Sequence, residues 1–257
     1  MPFNFRRKPL DVKVCRVLVI DFRTPSIPKE WNNTTSLVEE FIEAMIQASH
    51  KMLVYKVVTQ LEIPKYPILM DGRQYTDPTW AQALQEDITA IRDSHGSYML
   101  ADYQRIIQEY NVLQGIQQNI FSEVWMFGGP YFGFYESRMI GKGAFWCNAP
   151  GLEQVGKRFV MMGFNYQRGA QEMIHSFSHR AESILSRQFN SQDFQNKLYG
   201  LQPTPPPKNE YEKWLLEHGT VHRKPGSAQD YSQNEFVWAS ALKNEWWPGI
   251  IDPNKIV

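Results

Sequence analysis

At 257 residues the chain can bury the core of one large or two small domains, and with 42% hydrophobic and 14% aromatic residues it is too rich in core formers to be disordered. Its 27 Lys and Arg against 27 Asp and Glu leave formal neutrality, so there is no broad positive field to reward a phosphate backbone or an anionic lipid surface; neither nucleic acid nor membrane is an expected partner. The apolar run Val17–Ile20 is far shorter than the ~20 residues of a span, and Asp21, Phe22 and Arg23 follow it where a secretory cleavage site needs small residues, so the chain is expected in the cytoplasm, or secreted and already processed.

Val12 to Phe22 reads as a buried strand, β-branched at Val12, Val14, Val17, Val19 and Ile20 and ended by Thr24-Pro25-Ser26. Cys15 in this run and Cys147 beside Trp146 stand where small buried hydrophobes are common, so both are expected as thiols. Thr34-Thr35-Ser36 can cap a helix in which Leu37, Val38, Phe41, Ile42, Met45 and Ile46 recur at spacings of three and four up to Ser49. Leu53–Val58 forms a second strand, and the resulting β-α-β start places two strands in one sheet through a crossover.

From Pro64 to Pro78 the prolines and Asp71-Gly72 predict a loop, held by Tyr66, Tyr75 and Trp80. Helices are expected in parts of 80–93 and 102–118, the latter opened by Asp102, and a strand over Glu123–Phe127 stops at Gly128-Gly129-Pro130. Glycines and aromatics crowd Tyr131–Asn148, which suits short strands and turns forming a cleft wall; Trp125, Tyr131, Tyr135, Trp146 and Asn148 are its candidate substrate residues. The apolar run Arg158–Phe164 precedes the strongest helical pattern, Arg168–Phe189. Pro203 and Pro205–Pro207 make a stiff connector, Glu210–Leu216 a short helix, and Trp238, Trp246 and Trp247 anchor the tail. The pattern predicts an α/β (α+β) fold: a core over residues 1–200, and an irregular part over 201–257 that packs on the cleft as one unit with it.

The chemistry concentrates in Glu172-Met-Ile-His175-Ser-Phe-Ser-His179-Arg-Ala-Glu182, where four metal-competent side chains fall at offsets 0, 3, 7 and 10 on one helix face. His175 and His179, one turn apart, can aim imidazole nitrogens at one zinc ion, with Glu172 or Glu182 as a further ligand or an orienting carboxylate. The zincin order His-Glu-x-x-His places its general base beside the first histidine; here that position is Ser176, which cannot take the proton. Glu136 on the cleft wall and Glu182 are the candidate bases, a surface pair with Arg138 being the ordinary reading of Glu136. Leu185 occupies the metzincin third-ligand position, which leaves His218 and His222; the turn-rich Gly219-Thr-Val-His222 makes His222 the candidate third ligand. A di-iron helix bundle would need a second Glu-x-x-His helix, and there is none.

The segments Glu123-Val-Trp-Met-Phe-Gly-Gly-Pro-Tyr-Phe-Gly-Phe-Tyr-Glu-Ser137, Gly143-Ala-Phe-Trp-Cys-Asn148, Gly163-Phe-Asn-Tyr166, His175-Ser-Phe-Ser-His-Arg-Ala-Glu182 and Gly219-Thr-Val-His222 resemble an uncharacterised bacterial family with zincin-like features, over most of residues 12–247. The resemblance implies a shared cleft with His175, His179 and His222 at its polar centre, and no substrate. Members often carry Pro-Pro-Asn after the last histidine, where this chain has Arg223-Lys224-Pro225-Gly226. The expected protein is a zincin-like fold with its metal-bearing helix under a cleft: a zinc-dependent hydrolase with peptide as substrate class. The alternative is a non-catalytic zincin-like protein that binds a glycan or peptide, Ser176 standing where the catalytic Glu would be.

Overall fold

The computed structural model describes residues 12–200 and 202–222; Arg223–Gly226 and the three tail tryptophans lie outside these. Among these residues five strands, β1 (Lys13–Asp21), β2 (Leu53–Glu62), β3 (Glu123–Gly128), β4 (Ser137–Ile140) and β5 (Phe159–Asn165), form one sheet in the order β2-β1-β3-β5-β4. All neighbours run parallel except β4 against β5. Seven α-helices accompany them among the described residues: α1 (Thr34–Ala48), α2 (Asp77–Gln85), α3 (Tyr103–Glu109), α4 (Val112–Gln117), α5 (Ala170–Gln188), α6 (Gln192–Tyr199) and α7 (Glu210–His218). The fold is thus mixed α/β, as expected, and begins with the β1-α1-β2 crossover. No described helix is long and apolar enough to cross a membrane.

β1 lies between β2 and β3, and Val17, Leu18, Val19 and Ile20 are buried on both faces of the sheet; an uninterrupted apolar run is what such a central parallel strand requires. At its carboxyl end Asp21 is buried and accepts hydrogen bonds from Thr34 Oγ1 (2.7 Å) and the Tyr166 hydroxyl. Because Thr34 is used in this way, the cap of α1 falls one residue earlier than the sequence suggested: Asn33 Oδ1 accepts the Ser36 N–H.

Two other boundaries move for local reasons. α2 starts at Asp77, opened by a reciprocal Thr76–Thr79 capping box, and Pro78 sits in its first turn, where a missing N–H costs nothing. The 102–118 segment is two helices: Asp102 caps α3 as expected, but Asn111, with φ of 52°, turns the chain before α4. α6 was not anticipated, since Phe194 and Leu198 are too few to make a periodic stripe.

Trp125 is a correction. Every residue of β3 is buried, and Trp125, with no exposed surface, packs on Phe41, Tyr55 and Phe164 while its Nε1 donates to Glu123 Oε1 at 2.7 Å. It belongs to the core beneath the sheet, not to a cleft. Cys15 and Cys147 both remain thiols.

Two compact units divide between Phe177 and Ser178, inside α5. The first unit holds the sheet, α1–α4 and the opening turns of α5. The second has a small core of its own, in which Phe194, Tyr211 and Leu215 are buried with Leu198 against them.

Candidate functional site

α5 holds its first turn closed through Glu172, whose Oε2 accepts the Gly169 N–H at 3.0 Å. Helical spacing then stacks His175 and His179 one turn apart, on a face shared with Glu172 and Glu182. His222 reaches the same place by another route. α7 ends at His218, and Gly219, at φ 81°, takes a left-handed conformation that a β-carbon would strain, turning the chain toward residues 220–222. One ring nitrogen from each of His175, His179 and His222 lies within 4.8 Å of the others; among the described residues this is the one group of His, Cys, Asp and Glu that could hold a metal ion.

Within this group His179 Nε2 and His222 Nε2 stand 2.8 Å apart with their rings edge-to-face. Tetrahedral zinc at ~2.1 Å from each nitrogen sets neighbouring nitrogens about 3.4 Å apart. To share one ion the 2.8 Å pair must open slightly, a shift that rotation about the imidazole side-chain bonds can supply. The donor set, three imidazoles, fits zinc and comparable borderline cations. His218 is occupied elsewhere: its ring stacks on Trp214 and its Nδ1 lies 3.1 Å from the Trp214 carbonyl.

Glu182 braces the cluster from behind. Its Oε1 accepts the Val221 N–H at 2.8 Å, fixing the residue next to His222, and its Oε2 accepts the Tyr199 hydroxyl and lies 3.8 Å from His179 Nδ1. Burial raises its pKa above the ordinary carboxylate range, against the lowering effect of the Tyr199 and Val221 hydrogen bonds. Both oxygens are engaged, which suits an orienting role toward His179. Ser176, at the zincin base position, donates its hydroxyl to the Glu172 carbonyl at 2.9 Å.

A separate feature lies wholly in the first unit. A cavity of about 200 Å³ opens past the carboxyl ends of β3 and β5, lined by the loop Gly129–Phe134 together with Glu136, Asn165, Arg168, Glu172 and Ser176. The loop reaches it only because residue 163 is glycine: a β-carbon there would meet Phe134 Cβ at 2.4 Å and the Tyr135 carbonyl oxygen at 2.6 Å. Glu136 is partly buried, and its Oε2 accepts from Asn148 Nδ2 at 2.6 Å. The ordinary Glu136–Arg138 pair is absent; Arg138 donates to the Pro150 carbonyl and lies over Tyr103 and Tyr135.

Of the aromatic cleft candidates, Tyr131 lines this cavity, its hydroxyl donating to Asp87 at 2.9 Å, and Asn148 reaches it through Glu136. Tyr135 packs against Tyr103, and Trp146 is 62% exposed; neither lines it. The sequence did not single out Arg168 or Asn165. Their signal was a position just past a strand and before a helix, where open α/β sheets bind ligands.

Comparison with protein-family models, with curated proteins and with solved structures gives no match to this chain.

Proposed function

We propose that the chain is a metal-dependent hydrolase acting on peptides, with His175, His179 and His222 as ligands to a zinc ion. The observation that carries this reading is the approach of three imidazole nitrogens, two from one helix and one from a distant turn, to within 4.8 Å of one another. The helix pair, one turn apart, and the resemblance of the surrounding segments to a zincin-like family support the finer assignment of the fold. When bound, a cation held by three imidazoles with an open position supplies Lewis acidity and a water acidified to a pKa near ~7. His179 is oriented by Glu182, which acts as a positioning residue rather than a base, and Glu136 belongs to the cavity.

Metal analysis of the purified chain tests the ligand set: one zinc per chain in the wild type and a stoichiometric loss in His175→Ala, His179→Ala and His222→Ala are expected, with His218→Ala unchanged. Equal content in all five proteins would overturn it. A peptide library read by mass spectrometry, with metal-stripped protein as control, then tests hydrolysis.

One observation favours a second reading, a metal-bearing binding protein for a glycan or peptide. The Ser176 hydroxyl and both oxygens of Glu182, the carboxylate beside His179, are committed to hydrogen bonds within the fold. Zinc in place without cleavage of any peptide would decide for it.

A further inference from the structure

We propose that the cavity at the carboxyl ends of β3 and β5 binds a small zwitterion of the α-amino acid type, with Glu136 receiving its ammonium group and Arg168 its carboxylate. The inference rests on the cavity alone and holds whether or not the histidine cluster takes a metal.

Size sets the first limit. At about 200 Å³ the space falls below the ~300–1,000 Å³ of pockets for drug-sized ligands, and admits one amino acid rather than an oligomer.

Charge sets the second. Glu136 and Arg168 line the same cavity yet form no ion pair with each other. Among the described residues Glu136 accepts one side-chain hydrogen bond, on Oε2, and Oε1 faces a ligand. Arg168 is anchored by its backbone, its N–H donating to the Asn165 carbonyl and its own carbonyl accepting from Asn32 Nδ2, while its exposed guanidinium has no partner among the described residues. Glu172, the other carboxylate of the wall, is engaged by the Gly169 N–H at the start of α5. A neutral ligand would cover the partly buried Glu136 without a counter-charge, whereas a zwitterion compensates both signs at once. Phe132, Phe134 and Met173 line the rest and suit an apolar side chain.

Saturation-transfer NMR with the twenty common amino acids, each tested singly on metal-stripped protein, should find apolar members that bind. Calorimetry on leucine, leucinamide and 4-methylpentanoate should then give leucine the tightest binding, since each analogue lacks one charge and each charged hydrogen bond is worth roughly tenfold or more. Glu136→Gln should remove the preference for leucine over 4-methylpentanoate, and Arg168→Gln the preference over leucinamide, in proteins whose thermal unfolding matches the wild type. Failure of all twenty amino acids, binding of glucose in their place, or affinities untouched by both variants would overturn the proposal. Binding seen only after zinc is added would overturn it too, because the amino acid would then be chelating the metal, and that outcome leaves the hydrolase reading standing.

Discussion

Gly163→Ala is the sharpest test of how the cavity wall is held in place. The new methyl would stand 2.4 Å from Phe134 Cβ and 2.6 Å from the Tyr135 carbonyl oxygen, against the ~3.5–4.0 Å of ordinary contact, so the loop must retreat by about an ångström. Overpacking of this kind costs ~1–3 kcal/mol. Retreat also stretches the Gly163 N–H bond to the Glu136 carbonyl, already 3.3 Å long. Against these, replacing glycine in a strand restricts the unfolded chain and returns ~0.4–1 kcal/mol. The net loss is about 1–2 kcal/mol, and at ~2–4 °C per kcal/mol for a chain of this size the melting temperature should fall by roughly 2–8 °C. Calorimetric melting of wild type and variant in chelator measures it. An unchanged or raised Tm would mean that the loop does not rest on β5, and the account of the cavity wall would fail with it.

Glu182→Gln in chelator should change the pH dependence of stability. Because the folded state holds the Glu182 proton above the unfolded pKa of ~4.3, wild-type stability relative to the variant should decline as pH rises above ~4, and a difference flat in pH would refute the assignment. Trp125→Phe removes a buried donor to Glu123 as well as ring volume, so urea titration should show a loss of ~2–4 kcal/mol with leucine affinity unaltered; a stable variant that loses affinity would return Trp125 to the binding surface. Asp102→Ala, which strips the acceptor from the Arg105 N–H, should cost ~1 kcal/mol, and Asp102→Asn far less; equal effects would remove the cap from the argument.

What could be read from the sequence was whatever local periodicity encodes. The β1-α1-β2 start, the strand after residue 122 and the long helix α5 each carry an apolar pattern of the right period, and the two α5 histidines follow from that period directly. What could not be read depended on distant parts of the chain. Nothing in Glu123–Gly128 says that β3 pairs with β1 across a hundred residues, so Trp125, aromatic and next to a glycine-rich loop, resembled a cleft residue when it is core. The Glu136 partner depended on distant residues in the same way: Arg138, two positions on in β4, donates instead to the Pro150 carbonyl, and Asn148, twelve residues away, takes the place.

The central position of β1 bears on how the molecule is made. Its Val17 pairs with Glu123, so on the ribosome β1 emerges about a hundred residues before the strand that completes its second edge. At ~5–20 residues per second that is roughly 5–20 s in which the buried run Val17–Ile20 has β2 but not β3 paired beside it. Nascent chains arrested after α4 should therefore bind apolar-segment chaperones through Val17–Ile20, and chains arrested after α5 should not; equal capture at both lengths would show that β1 finds shelter before β3 arrives.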